Sequence, residues 1–323
     1  MPSLASSSQV PDQSGRVAVI TGASSGIGYA AASALASRGA RVILAVRDPA
    51  KGRAAATAIG AKAEARRLDL SALSSVRDFA GGITGPIDYL INNAGTMTGT
   101  RQVTADGFES QLGVNHLGHF ALTNLLLDRT TGRVVTVTSS TAGTAKVDFD
   151  DLAWEHRPYS PFGAYAQSKL ANLLFTVELQ RRLEAAGSAV RSTAAHPGWA
   201  STGFRITSGN AVLDAVSAAG TRLLAHGPEK GALPTLLAAT GDVPGGSLAG
   251  PRLFGVRGPA TVVTDLPPAA RDLDVARRLW SVSESLTGTS FPVAAPAPPP
   301  DRPRPATRPH LGDDGPERGD RPV

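Results

Sequence analysis

Six times along the chain, a short strand-like run, most often apolar and β-branched, gives way to a segment with helical periodicity. The runs are Arg16–Thr21, Arg41–Val46, Ala63–Leu70, Ile87–Ile91, Arg133–Thr138 and Ala189–Ala195. Runs this short and this apolar predict strands buried on both faces. Helical segments follow over Tyr29–Arg38, Ala50–Ile59, Ala72–Ala80, Asp106–Asp128 and Phe162–Ala186. Strict alternation of the two patterns predicts an α/β fold with a doubly wound parallel sheet.

Beyond Trp199 the texture becomes small and apolar. A helix over Ala211–Ala225 is expected there, either a lid over a substrate site (about 201–227) or a plain surface helix. Glu229–Thr240 and Ala269–Leu286 read as further helices, with Trp280 as a core anchor and Arg252–Val256 as a last strand. Residues 15–291 therefore read as one domain. The Ser-rich residues 1–14 and the Pro-rich residues 292–323 have too few apolar side chains to bury a core and are expected to be disordered.

Composition narrows the function classes. The 323 residues are 41% hydrophobic and 18% charged, ordinary for a globular chain. The absence of Cys excludes disulfides and thiol chemistry. His116 and His119 are three apart with no third ligand near them in sequence, so no metal site is expected. The formal charge of +5 comes from scattered Arg with no basic run interleaved with aromatics, which argues against nucleic-acid binding. No apolar run reaches membrane-span length, and the N-terminus lacks a signal-peptide pattern. A cytoplasmic protein is expected.

The candidate chemistry gathers at strand ends. Gly22-Ala23-Ser24-Ser25-Gly26-Ile27-Gly28 lies between the first strand and the first helix. Glycines there let backbone approach a pyrophosphate, and the helix N-terminus offers free N–H groups. The second strand ends at Val46, next to Arg47. A cation at that place suits the 2′-phosphate of NADP; its plain alternative is a solvated charge. Asp48-Pro49 reads as a helix cap rather than an acidic ribose reader, so NADP is favoured over NAD. Asp69 either caps the next helix or faces the adenine. Asn93, in Asn92-Asn93-Ala94-Gly95, either borders the cofactor or satisfies turn backbone. Asn115 sits inside a helical segment, where Asn competes for backbone hydrogen bonds, so it is either a packing specifier or a functional kink.

Tyr165 and Lys169 are four apart, which puts both on one face of a helix. A neighbouring ammonium is expected to lower the phenol pKa from about 10 toward the working pH, where proton transfer is most effective. A Ser139 hydroxyl at a strand end can hold a substrate oxygen against that Tyr.

This ordered set resembles the short-chain dehydrogenase/reductase superfamily, a Rossmann-fold family, over about residues 14–290. The stretches Asn115-His116-Leu117-Gly118-His119-Phe120, Gln167-Ser168-Lys169-Leu170-Ala171-Asn172 and His196-Pro197-Gly198 resemble more narrowly its retinol dehydrogenase and protochlorophyllide reductase-like branch. So does the 26-position gap from Ser139 to Tyr165. The resemblance implies Tyr165 as acid/base and Lys169 as its modulator and ribose contact. It implies Ser139 as the group orienting the substrate oxygen, and Asn115 as holder of a water in a proton relay from Lys169. It places Gly22, Ser24, Ser25, Gly26, Ile27 and Gly28 on the pyrophosphate and Arg47 on the 2′-phosphate. Asp69 and Leu70 fall on the adenine side, Asn93, Ala94 and Gly95 along the adenosine ribose and its surroundings, and Pro197, Gly198 and Thr202 near the pyrophosphate or amide.

The expected function is NADP-dependent interconversion of an alcohol and a carbonyl on a moderately apolar small molecule. A reductase of a carbon–carbon double bond and a non-catalytic dinucleotide-binding protein are the alternatives. A homodimer or tetramer is plausible for the family.

Overall fold

The computed structural model describes residues 2–198, 227–253, 257–263 and 265–292. The expected lid helix, Trp199, Thr202 and the tail from residue 293 onward lie outside the described residues.

The strands are β1 (Ser3–Leu4), β2 (Val17–Thr21), β3 (Arg41–Val46), β4 (Ala63–Arg67), β5 (Ile87–Asn92), β6 (Thr130–Val137), β7 (Arg191–Ala195), β8 (Leu248–Leu253) and β9 (Arg257–Val263), the six expected runs giving β2 to β7. They form one sheet in the order β1-β9-β8-β7-β6-β5-β2-β3-β4. Every pair from β4 to β8 is parallel; β9 runs antiparallel to β8, and β1 antiparallel to β9. The helices are α1 (Gly26–Ser37), α2 (Pro49–Ile59), α3 (Leu73–Gly81), α4 (Ser110–Leu112), α5 (Gly118–Leu126), α6 (Pro161–Ala185), α7 (Pro228–Thr240) and α8 (Leu273–Thr287).

Two apolar layers sandwich the sheet. On one face α1 packs against α7 over Ala18, Ile20, Val42 and Leu44. On the other, α3, α5, α6 and α8 bury Val19, Leu90, Phe120, Phe175 and Trp280. Trp280 stacks on Phe175 with ring centroids 5.7 Å apart and meets Phe120 edge-on at 4.9 Å, and so fastens α8 to the back of α5 and α6. Double-sided burial is why β2, β3 and β5 lack the alternation of a half-exposed strand.

Three sequence expectations need correction. Residues 1–14, expected to be disordered, are ordered in part: Ser3 and Leu4 pair with Thr261 and Ala260, and Leu4 and Val10 are buried. Backbone pairing at the sheet edge does this work, so a short polar segment suffices. The single last strand expected at Arg252–Val256 is instead a β8–β9 antiparallel pair. The long helix expected over Asp106–Asp128 is interrupted. Between α4 and α5, Gly113–Leu117 forms a π-turn, in which the Gly118 N–H reaches back to the Gly113 carbonyl. That extra residue per turn sits on Asn115.

Candidate active site

Sheet order sets where a ligand can bind. The strands β3 and β4 lie on one side of β2, and β5 to β8 on the other. The chain therefore leaves the carboxyl ends of β2 and β5 in opposite directions, and a crevice opens between them. Here the glycine turn and the Asn92-Asn93-Ala94-Gly95 turn come together. The Asn93 side chain donates to the Thr21 carbonyl at 2.8 Å, and the Asn93 and Ala94 N–H groups both donate to the Thr21 hydroxyl at 2.9 Å. So Asn93 does satisfy turn backbone, and in doing so it locks the two turns to each other.

Glycine is required by space at Gly28, where a Cβ would lie 2.5 Å from Asn93 Nδ2 and 2.8 Å from the Gly22 carbonyl oxygen. Gly22 has φ of +68°, a left-handed conformation that favours glycine. Ser25 precedes α1 without capping it through its side chain, so the first-turn N–H groups stay available to an anion. Ser24, Ile27 and Gly26 complete this turn. A bare backbone cradle, an uncapped helix N-terminus and a cation beyond the next strand form the donor set a dinucleotide phosphate needs.

That cation is Arg47, exposed just past β3. Asp48 beside it caps α2, accepting from the Ala50 and Lys51 N–H groups at 2.9 and 3.2 Å, as the Asp-Pro pattern predicts. Asp69 accepts from the Ser71 N–H and hydroxyl at 3.0 and 2.6 Å, so its carboxylate is engaged in its own turn, next to buried Leu70. Beyond β7, Gly198 takes φ of +70° after Pro197, and its N–H donates to His196 Nδ1 at 3.2 Å.

The catalytic candidates meet where β6 faces α6. The capping hydroxyl of Ser160 accepts from the Gly163 N–H, and Pro161 starts the helix, which fixes the phase of Tyr165. Thr138 donates its hydroxyl to the Lys169 carbonyl at 2.7 Å, tying the end of β6 to the same turn of α6. Tyr165 and Ser139 are half-buried, and Ser139 favours the ionised Tyr165 phenol, drawing its pKa down. Lys169 is buried, and its ammonium donates to the Val137 carbonyl at 3.1 Å. The same carbonyl accepts from Asn172 Nδ2 at 3.1 Å. Gly95 lies over this group: a Cβ there would sit 3.3 Å from Lys169 Nζ and 3.4 Å from Asn115 Oδ1.

Asn115, fully buried, is a hub. Its Oδ1 accepts from the Thr96 N–H at 2.7 Å, and its Nδ2 donates to the Thr96 carbonyl at 3.0 Å and to Ser168 Oγ at 2.9 Å. The structure thus brings Asn115, Ser139, Tyr165, Lys169 and Gly95 together, while Arg47 and Asp69 lie apart at the far end of the crevice.

The expected electrostatics are reversed at Tyr165. Burial pushes its phenol up to about 12, and Ser139 opposes this only in part. Burial pushes Lys169 down to about 8. The ammonium lies 5.7 Å from the Tyr165 ring centroid and is turned to a backbone carbonyl, so removal from water outweighs the attraction that the spacing predicted.

Sequence reasoning gave no role to Thr21, Ser168, Asn172 and Tyr159. Spacing could have found two of them. Positions 165, 168, 169 and 172 fall on one helical face. Tyr159, in the irregular segment before α6, donates to Glu109 Oε1 at 3.0 Å and accepts from Gln111 Nε2 at 2.7 Å, which pins that segment beside α4.

Comparison with known proteins agrees with this geometry. Residues 16–212 match the short chain dehydrogenase family. The chain belongs to that family. Retinol dehydrogenase 13 of Homo sapiens is 42% identical over 294 residues, 86% of this chain and 86% of the relative. Polyprenol dehydrogenase of Mus musculus is 42% identical over 300 residues, again 86% of each. These relatives place the chain in the retinol dehydrogenase-like branch. An uncharacterized protein from Mycobacterium paratuberculosis superposes with a TM-score of 0.79 at 50% identity, over 90% of this chain and 99% of that one. A protein assigned as an NAD(P)-dependent gluconate 5-dehydrogenase from Beutenbergia cavernae, with NADP bound at low occupancy, gives a TM-score of 0.55 at 28% identity, over 71% of this chain and 91% of that one. The chain is accordingly an oxidoreductase that acts on CH–OH donors and interconverts alcohol and carbonyl.

Proposed function

We propose that the protein is an NADP-dependent oxidoreductase with Tyr165 as acid/base, and that its substrate is a moderately apolar alcohol or the matching aldehyde or ketone. The observation that carries this reading is the buried Lys169 one helical turn from Tyr165, its ammonium 5.7 Å from the Tyr165 ring centroid, with Asn115 and Gly95 beside it. The relatives' names, retinol and polyprenol dehydrogenase, support an apolar alcohol as substrate.

In this reading Gly22, Ser24, Ser25, Gly26, Ile27 and Gly28 hold the pyrophosphate. Arg47 holds the 2′-phosphate. Asp69, Leu70, Asn93, Ala94 and Gly95 border the adenosine half, and Pro197, Gly198 and Thr202 border the other half. NADPH, when bound, supplies the hydride to the carbonyl carbon, and NADP+ accepts it in the reverse direction. The Ser139 hydroxyl donates to the substrate oxygen and fixes its distance from Tyr165. In reduction the Tyr165 hydroxyl gives its proton to that oxygen, which leaves an alcohol and a phenolate. A phenol held protonated at neutral pH is ready for this direction. Lys169, its own pKa brought down by burial, is a suitable proton source to restore the phenol. Asn115 would link Lys169 to solvent through a water. Cytoplasmic residence and a homodimer or tetramer belong to the same reading; among the described residues no helix is long and apolar enough to cross a membrane.

The test is parallel fluorescence titration of the purified protein with NADPH and NADH. Much tighter NADPH binding is expected. A preference for NADH would remove Arg47 from its role, and binding of neither would overturn the enzymatic reading.

A further inference from the structure

Two buried histidines, His116 within the π-turn and His119 just after it, are used by no step of the proton route just described. His116 faces away from the crevice, against Ser283 of α8 at 2.9 Å. His119 faces the crevice floor and touches two of its working parts. Its Nδ1 lies 3.0 Å from the main-chain carbonyl of Asn115, and its Nε2 lies 2.8 Å from the Thr21 hydroxyl.

The chemistry of the partners fixes the direction of these bonds. A carbonyl oxygen can only accept, so Nδ1 carries the proton. The Thr21 oxygen already accepts from the Asn93 and Ala94 N–H groups. Its own proton therefore points to an acceptor. His119 Nε2 is the nearer one, at 2.8 Å against 3.4 Å for the Ile91 carbonyl. The result is a one-way chain: the Asn93 and Ala94 N–H groups donate to the Thr21 hydroxyl, which donates to Nε2, while Nδ1–H donates to the Asn115 carbonyl. A cationic imidazole would aim a third donor at the Thr21 oxygen, so the chain works only with a neutral ring. Burial supports this, holding His119 at about 3.

We propose that His119 is a positioning residue that couples the seating of the cofactor turns at Thr21 and Asn93 to the aim of the Asn115 carbonyl in the π-turn, and so to proton supply at Lys169. The proposal rests on the proposed function. A π-turn is a rare single-turn bulge in a helix that recurs at functional sites. The Asn115 side chain is pinned by Thr96 and Ser168, and His119 pins its main-chain oxygen. An imidazole with two distinct nitrogens spans the distance from this carbonyl to the strand end. Neither a shorter amide nor an aliphatic side chain does both.

The two contacts can be cut separately. In His119→Asn the amide donor sits near the place of Nδ1 and keeps the Asn115 carbonyl, but it does not reach Thr21. In His119→Gln the amide reaches the place of Nε2 and keeps Thr21, but it releases the carbonyl. The experiment uses the full chain. It measures the NADPH Kd by fluorescence, kcat against pH with retinaldehyde as probe, and Tm. His119→Asn is expected to raise the NADPH Kd about tenfold with kcat nearly kept. His119→Gln is expected to keep Kd, lower kcat about tenfold and displace its pH profile. Thr21→Val also removes the acceptor of the Asn93 and Ala94 N–H groups, so it should weaken NADPH binding at least as much as His119→Asn, and adding His119→Asn to it should cost nothing further.

Equal losses in both histidine variants, or a fall in Tm with Kd and kcat intact, would overturn the proposal and leave His119 as a core residue. If the wild-type protein binds NADPH but leaves retinaldehyde unchanged, the Kd contrast between the two variants decides alone. Failure of the wild type to bind NADPH is a different outcome: it overturns the proposed function, and the coupling falls with it.

Discussion

The two ends of the crevice are built in opposite ways. At the catalytic end Lys169, Asn115 and Ser168 are buried, and hydrogen bonds join α6, the π-turn and the loop after β5. At the adenosine end Arg47 projects exposed from the end of β3, and among the described residues no hydrogen bond or ion pair holds it. The catalytic end is organised before any ligand arrives, so its geometry is fixed by folding. At the other end Arg47 is exposed, so a ligand would do the organising, and in the proposed reading cofactor selectivity rests on that one cation. Changes at the catalytic end should therefore cost rate or fold, and changes at the adenosine end should cost only the choice between cofactors.

The largest effect is expected at Lys169. Lys169→Ala removes the proposed proton source and the contact to Val137, and kcat should drop about 10³-fold in steady-state assays. A drop of only a few-fold would mean that the buried ammonium is structural. Trp280 tests whether the catalytic end is held from behind. Trp280→Ala empties the stack against Phe175 and Phe120 and should cost about 3–5 kcal/mol in denaturant unfolding. A much smaller loss would show that α8 is a passive cover. Arg47→Ala sharpens the contrast. It should weaken NADPH by about 2 kcal/mol, leave NADH binding unchanged and leave unfolding untouched.

A smaller and more gradual effect should come from pH. Burial holds His116 and His196 at about 4 and His119 at about 3, all below the ordinary 6.5. Below pH 6.5 the unfolded chain therefore binds more protons than the native one. Stability is complete above pH 6.5 and falls as pH drops toward about 4, by up to about 1.4 kcal/mol per pH unit for each histidine. Denaturant midpoints measured from pH 7 down to pH 5 check the sign; a midpoint that rises on acidification would contradict it.

The same contrast explains what was legible in the sequence. Strands buried on both faces announce themselves as apolar runs, so β2, β3 and β5 could be placed directly. Local chemistry was legible too: Asp48 caps α2, and the four-residue spacing of Tyr165 and Lys169 gives one helix face. What could not be read depends on distant partners. The polar Ser3–Leu4 segment becomes a strand only because β9 offers an edge. The break at Asn115 needs the neighbouring Thr96 and Ser168 to stabilise it. The Tyr165 phenol moves up rather than down because desolvation depends on the whole packed environment, which no spacing rule contains.

The most direct test of the central claim, that Tyr165 is the acid/base of a carbonyl-reducing site assembled before its ligands bind, is Tyr165→Phe assayed for both NADPH binding and single-turnover NADPH oxidation with an apolar aldehyde. The account predicts that NADPH binds as tightly as in the wild type while turnover is lost. Turnover at the wild-type rate in Tyr165→Phe would contradict it.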